Sequence, residues 1–130
     1  MMVDHGDASA SRSVLIVEDE QALVEVLADL LELEGYTVAV AASVDEASRK
    51  LEAGLEPDLA LVDISLPDGP AWPLISRLRW TCPDAKIIII SGLGVVIDDS
   101  QAAMADAVLS KPFRADELLA LIRGPGQDQQ

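Results

Sequence analysis

A single cysteine, Cys82, rules out an internal disulfide, so stability has to come from a packed core. That count fits a reducing compartment. Cys82 has no histidine near it in sequence, and the one histidine, His5, stands in the amino-terminal stretch. A small residue at a helix end is therefore the simpler reading of Cys82 than a catalytic thiol. Aromatic residues are scarce too, with one Phe, one Tyr and two Trp. Half of the chain is hydrophobic all the same, so the core must be built from Leu, Ile, Val and Ala. Basic residues are the third shortage: nine Lys and Arg stand against 23 Asp and Glu, a formal net charge of −14. Such a charge opposes contact with phosphate backbones or anionic membranes and favours partners with basic patches. Neither a nucleic-acid nor a membrane partner is expected. No apolar run approaches the roughly 20 residues of a membrane span, and Met1 to Arg12 lacks the apolar segment of a signal peptide. A cytoplasmic location is expected.

What is present is an alternation of strand-like and helix-like segments. A chain of 130 residues has room for one domain. The expected boundaries are a flexible tail over 1–12, a folded domain over 13–123 and a second tail over 124–130. Val14 to Val17 is a continuous apolar run, as expected of a strand buried on both faces. Leu23, Leu27, Leu30, Leu31 and Leu33 follow near helical spacing, and Gly35 closes that helix. Tyr36 to Ala42 reads as a second strand, and Ser43 with Glu46 matches a capping box for a helix ending near Gly54. Leu59 to Ile64 is the third strand, and Pro73 suits the first turn of a third helix. Lys86 to Ser91 is the fourth strand, followed by a weakly marked helix between Asp98 and Met104. Ala107 to Ser110 is the fifth strand, and Arg114 to Arg123 a final helix with Leu118, Leu119 and Ile122 inward. Five strand–helix units predict an α/β fold: one doubly wound, five-stranded parallel sheet, flavodoxin-like, with helices on both faces and right-handed crossovers.

Four chemically capable residues fall where strands end: Asp19, Asp63, Ser91 and Lys111. In an open α/β sheet, ligands bind outside the carboxyl ends of the strands, where strand order reverses. Acids at helix starts are common, so Glu18 and Asp19 alone carry little weight. Asp63 carries more, because it ends an apolar strand and enters the turn-forming loop Ile64 to Gly69. Asp19 and Asp63 on neighbouring strands can share Mg²⁺, which needs only one or two carboxylates beside phosphate oxygens and waters. Lys111 stands between a strand and Pro112, which biases it toward extended backbone and leaves its ammonium able to reach Asp63 or a phosphoryl oxygen. Ser91, next to Gly92, can donate a hydroxyl hydrogen bond to another.

These segments resemble the response regulator receiver domain of two-component signalling over about Ser13 to Arg123. The matching stretches are Val14–Glu20, Leu61–Gly69, Ile87–Gly92 and Ser110–Phe113. The resemblance implies that Asp63 accepts a phosphoryl group and that Glu18, Asp19, Asp63 and the Ser65 backbone carbonyl hold Mg²⁺. It also implies that Ser91 and Lys111 bind the phosphoryl oxygens and that the Lys111–Pro112 bond is cis. The implied donor is a phosphohistidine on a sensor histidine kinase or histidine phosphotransfer protein. The implied output is protein contact or onward relay of the phosphate by a single-domain regulator, since no output domain follows Arg123 in this sequence. Such a protein is not a conventional enzyme, although it catalyses its own aspartyl phosphorylation and dephosphorylation.

The match departs at the readout. Similar receivers carry an aromatic three residues before the lysine, where this chain has Val108, and Met104 replaces a typical glycine. The stretch from Gly92 to Ser110 is also shorter than is common, which predicts a short fourth helix. Val95, Val96 and Ile97 either fill the space that helix leaves or form an exposed apolar contact for a partner or a second copy, with Val108 nearby. Neither Ser65 nor Leu93 offers a long polar side chain to orient water, so slow self-dephosphorylation is expected. Other readings are an unphosphorylated, receiver-like interaction module, a haloacid-dehalogenase-type phosphatase and a dinucleotide site. The phosphatase lacks its second Asp, with Ser65 in its place, and Gly92-Leu-Gly94 lacks the third glycine of the dinucleotide fingerprint.

Overall fold

The structure is a computed structural model that describes residues 12–124. The expected tails over 1–12 and 124–130 lie almost entirely outside the described residues. Arg12 is an exception, since it opens the first strand. The strands of the main sheet are β1 (Arg12–Val17), β2 (Tyr36–Ala41), β3 (Leu59–Asp63), β4 (Lys86–Ser91) and β5 (Ala107–Ser110). The helices are α1 (Gln21–Leu33), α2 (Val44–Glu52), α3 (Trp72–Thr81), α4 (Asp99–Ala102) and α5 (Ala115–Arg123). All neighbouring strands of this sheet pair in parallel in the order β2-β1-β3-β4-β5, so the order reverses beside β1 and β3. A two-residue antiparallel ribbon, Ser65–Leu66 with Gly69–Pro70, follows β3.

Strand alternation divides the aliphatic core in two. Leu15, Val17, Ala60, Val62, Ile87 and Ile89 face the side covered by α2 and α3, where Ala47, Leu74, Ile75 and Leu78 pack on them. Val14, Ile16, Leu59, Leu61, Ile88 and Ile90 face α1 and α5, where Leu27, Leu31 and Leu118 pack. β1, β3 and β4 are therefore apolar at consecutive positions, the pattern of a sheet buried on both faces.

Several local expectations needed correction. The Ser43 hydroxyl accepts from Glu46 N–H at 3.1 Å, but the Glu46 carboxylate accepts from Ala42 N–H at 2.9 Å, one residue outside the box. In α5 the side chains packed on the core are Leu118, Leu121 and Ile122, with Leu119 left half-buried outside both clusters. The triplet 95–97 divides: Ile97 packs on the core beside Met104, Val95 is partly exposed, and Val96 is 88% exposed. The fourth helix is a single turn, held by a capping box between Asp98 and Gln101. Four residues are too few to sustain a helix by backbone bonds alone, so the cap and the Ile97 anchor hold it. Of the two tryptophans of α3, Trp72 is half-buried on the core and Trp80 is exposed.

Candidate functional site

β1 and β3 are adjacent, and both run their carboxyl ends to one edge of the sheet. Glu18 continues the phase of Val14 and Ile16, Asp63 that of Leu59 and Leu61, and Lys111 that of Leu109. All three therefore share the phase of the α1/α5 face of the sheet. Their side chains meet. Lys111 Nζ lies 3.0 Å from Asp63 Oδ2 and 3.0 Å from Glu18 Oε1, with Glu20 further out at 3.9 Å. Glu18 and Asp63 are buried, at 1% and 4% exposure, while Asp19 is exposed. Carboxylate oxygens of Glu18, Asp19 and Asp63 all lie within 4.8 Å of one another.

The loops at this edge are held by backbone bonds. Ser65 N–H donates to Asp63 Oδ1 at 2.8 Å, which orients the carboxylate from below. Ile64 N–H donates to Ile90 O, and Lys111 N–H to Ser91 O at 2.8 Å, so the loops after β3 and β5 both hang from the end of β4. The Lys111–Pro112 peptide is cis. Ser91 is buried at the end of β4, one residue past the partner of Asp63 in the sheet register and paired with Ser110 of β5. The sheet thus brings Ser91 to the same edge, and its hydroxyl makes no hydrogen bond with the acids or the lysine.

Electrostatically the edge holds too many negative charges for one cation. Burial pushes the Glu18 carboxyl up, against the lowering effects of the Glu20 amide and Lys111. For Lys111, burial is the largest single influence and works to lower its pKa; the carboxylates of Asp63 and Glu18 together outweigh it and hold the ammonium above its ordinary value. Glu18 Oε2 accepts from Glu20 N–H at 3.0 Å, whereas Oε1 is buried without an aligned hydrogen-bond donor. Three close carboxylates, two of them buried, form an oxygen-only donor set suited to a hard divalent cation.

The sequence reading named Glu18, Asp19, Asp63, Ser65, Ser91 and Lys111, and the structure gathers all six at one edge. It missed Glu20, whose only signal was its place beside two other acids. It also missed Asp68, whose carboxylate accepts from Val44 N–H at 3.0 Å and Asp45 N–H at 2.9 Å and so ties the loop after Asp63 to the start of α2. Among the described residues, no helix is long and apolar enough to cross a membrane.

The family model described as the response regulator receiver domain matches residues 14–123. The acid tolerance regulatory protein ActR of Rhizobium meliloti is 34% identical over 89% of this chain and 61% of its own length. The chain spans about half to two thirds of the length of the curated relatives it matches. A CheY-like receiver domain protein from Methanospirillum hungatei is 32% identical, with a TM-score of 0.75 over 86% of this chain and 90% of that one. The response regulator TrrA of Thermotoga maritima, solved in complex with Mg²⁺–BeF, is 30% identical, with a TM-score of 0.76 over 86% of this chain and 96% of that one.

Proposed function

The chain belongs to the response regulator receiver domain family, and from that membership we propose that it is a phosphorylatable switch with Asp63 as its phosphoacceptor. Receiver domains are signalling domains and not conventional enzymes. The observation that carries the proposal is Lys111 Nζ placed 3.0 Å from both Asp63 and Glu18 at the carboxyl edge of the sheet. The donor is a phosphohistidine on a sensor kinase or phosphotransfer protein, and the protein is cytoplasmic.

Phosphoryl transfer asks little covalent chemistry of a protein, so positioning and electrostatics supply most of the catalysis. The Ser65 amide fixes one oxygen of Asp63, and Lys111 faces the other, ready to move its charge onto an incoming phosphoryl oxygen. Ser91 offers a hydroxyl to a second oxygen. Glu18, Asp19, Asp63 and the Ser65 carbonyl would hold Mg²⁺, which supplies charge neutralisation for the phosphoryl group when bound. Treatment with acetyl phosphate and MgCl₂, followed by intact mass, is expected to add one phosphoryl group to the wild type and none to Asp63→Asn. Slow loss of that group after donor removal is also expected, because Ser65 and Leu93 flank the site as exposed residues without a long polar side chain. No Asp63-dependent mass gain, with the cognate kinase also inactive, would leave the interaction-module reading in its place.

Output is assigned to protein contacts. Val95, Val96 and Val108 are exposed apolar side chains around the shortened α4, whereas Ile97 is committed to the core. A partner or second copy is proposed to cover Val95, Val96 and Val108.

A further inference from the structure

Glu18, Asp19, Glu20 and Asp63 crowd the edge where the phosphoryl group is received, and Glu20 alone serves neither the fold nor the metal-ligand set. It is the N-cap residue of α1, yet its side chain makes no capping hydrogen bond. Its backbone does the local work: the amide donates to Glu18 Oε2 at 3.0 Å, and the carbonyl accepts from Val24 N–H at 3.0 Å. Neither bond depends on the side chain at position 20. The close acidic donor set comprises Glu18, Asp19 and Asp63, without Glu20.

The Glu20 side chain is 62% exposed and still turns toward the site, with Oε1 3.9 Å from Lys111 Nζ. Lys111 Nζ is in turn 3.0 Å from Asp63 Oδ2. Glu20 Oε1 therefore lies no more than about 7 Å from that oxygen, a separation at which two unit charges in water still interact by about the thermal energy. Among the described residues Lys111 is the cation nearest to it, and Lys111 is already shared between Asp63 and Glu18 at 3.0 Å each. A donor bringing a phosphoryl group to Asp63 thus meets an exposed negative charge that no cation fully offsets.

We propose that Glu20 is a donor-specificity residue, whose carboxylate selects against phosphoryl donors of high negative charge and favours those with a positive group beside the phosphoryl group. The inference rests on Asp63 being the phosphoacceptor. The penalty is Coulombic, so it grows with each negative charge on the donor, by about threefold in rate per charge at this separation in water.

Acetyl phosphate and phosphoramidate test this, because they differ in charge. At neutral pH acetyl phosphate is a dianion, whereas phosphoramidate holds a protonated nitrogen on its phosphoryl group and is a monoanion overall. With either donor, an Asp63 oxygen forms a bond to phosphorus while the bond from phosphorus to the leaving oxygen or nitrogen breaks. The electron pair leaves with acetate or with ammonia, and no oxidant, reductant or further proton is required.

Initial rates of mass gain are measured on the full chain with each donor at equal subsaturating concentration, low added salt and saturating MgCl₂. The ratio of the acetyl phosphate rate to the phosphoramidate rate is expected to rise about threefold in Glu20→Gln and about ninefold in Glu20→Lys. In salt of about 1 M, where the screening length falls to about 3 Å, both ratios are expected to return toward the wild-type value. Circular dichroism checks the fold of each variant. A ratio unchanged by both substitutions overturns the inference while leaving Asp63 as acceptor, even if both donors speed up together, since residue 20 then acts through Lys111 or Mg²⁺. A raised ratio that survives high salt overturns it as well, because a screened field is not its cause. A lower melting temperature with an unchanged ratio leaves Glu20 as a partner of the α1 dipole only, and the specificity role is wrong. No mass gain from either donor in any of the three proteins overturns the phosphoacceptor reading itself.

Discussion

Glu18 is the residue at which the site's two demands conflict. One of its oxygens is committed to the Glu20 amide and the other faces only Lys111, with the side chain closed off from water. Burial penalises the ionised form, so the Glu18 pKa is raised. Ionising Glu18 therefore costs the metal-free fold stability, and the carboxylate is retained as a candidate ligand. Glu18→Gln is expected to stabilise the metal-free protein by about 1 kcal/mol, the usual scale when a strained functional site is relaxed. The same variant is expected to bind Mg²⁺ at least tenfold more weakly, because a neutral amide replaces a charged carboxylate in a site that offers few of them. Thermal melts with EDTA and Mg²⁺ titrations check the two halves, and a variant less stable than wild type in EDTA would contradict the account. Asp19, Asp63 and Lys111 were legible in the sequence because each ends a strand in a known phase. Glu20 and the pairing of Glu18 with Lys111 were not, since proximity to Lys111 exists only once β1 and β5 share a sheet.

At the scale of elements, the loop after Asp63 and helix α2 act as one unit through Asp68. Its carboxyl is held below the ordinary aspartate value of 3.8, chiefly by the Asp45 and Val44 amides that donate to it. A carboxylate depressed in the folded state contributes stability that is present above its unfolded pKa and is lost as pH falls through its folded pKa. The first turn of α2 is therefore expected to loosen below pH 3.8, with the Val44 and Asp45 amide resonances moving together. Asp68→Asn should abolish that transition, and amides that stay fixed while Asp68 titrates would refute the coupling. Most element boundaries were readable because period and turn chemistry are local: Ser43 caps α2, and Gly35 and Gly54 take positive φ just past α1 and α2. The inward face of α5 was misassigned because Leu121 and Leu119 are equally apolar, and only packing on the sheet separates them. The division of Val95, Val96 and Ile97 has the same origin. An apolar triplet does not state which member reaches the core.

Across the whole molecule, the capture site and the proposed output surface are built from different material. The acids and Lys111 stand at strand ends fixed by a sheet whose central strands are buried from Val14 to Val17, Leu59 to Asp63 and Ile87 to Ser91. The proposed contact residues Val95, Val96 and Val108 surround a one-turn helix and lie in part on the edge strand β5. Val96→Asp is expected to leave folding unchanged, because the side chain is 88% exposed, while weakening the contact at least tenfold. Unchanged oligomer size and unchanged partner affinity in that variant would remove the proposal. The net charge of −14 distinguishes the two occupants. Copies that repel one another associate more tightly as salt screens them, whereas a basic partner binds more weakly. Sedimentation and binding measured across a salt series read out that sign.

The sequence alone determined the fold and which strand-end residues were candidates for the acidic site. Buried strands, capping residues and strand-end acids are written in local order, and connection rules leave few ways to assemble five strand–helix units. The tertiary structure decided which of those groups touch. It set Lys111 between Asp63 and Glu18, buried the Glu18 carboxylate, joined Asp68 to α2 and opened a groove between Val26 and Leu93. Those facts depend on distances between residues far apart in the chain, which local pattern does not encode and packing alone fixes.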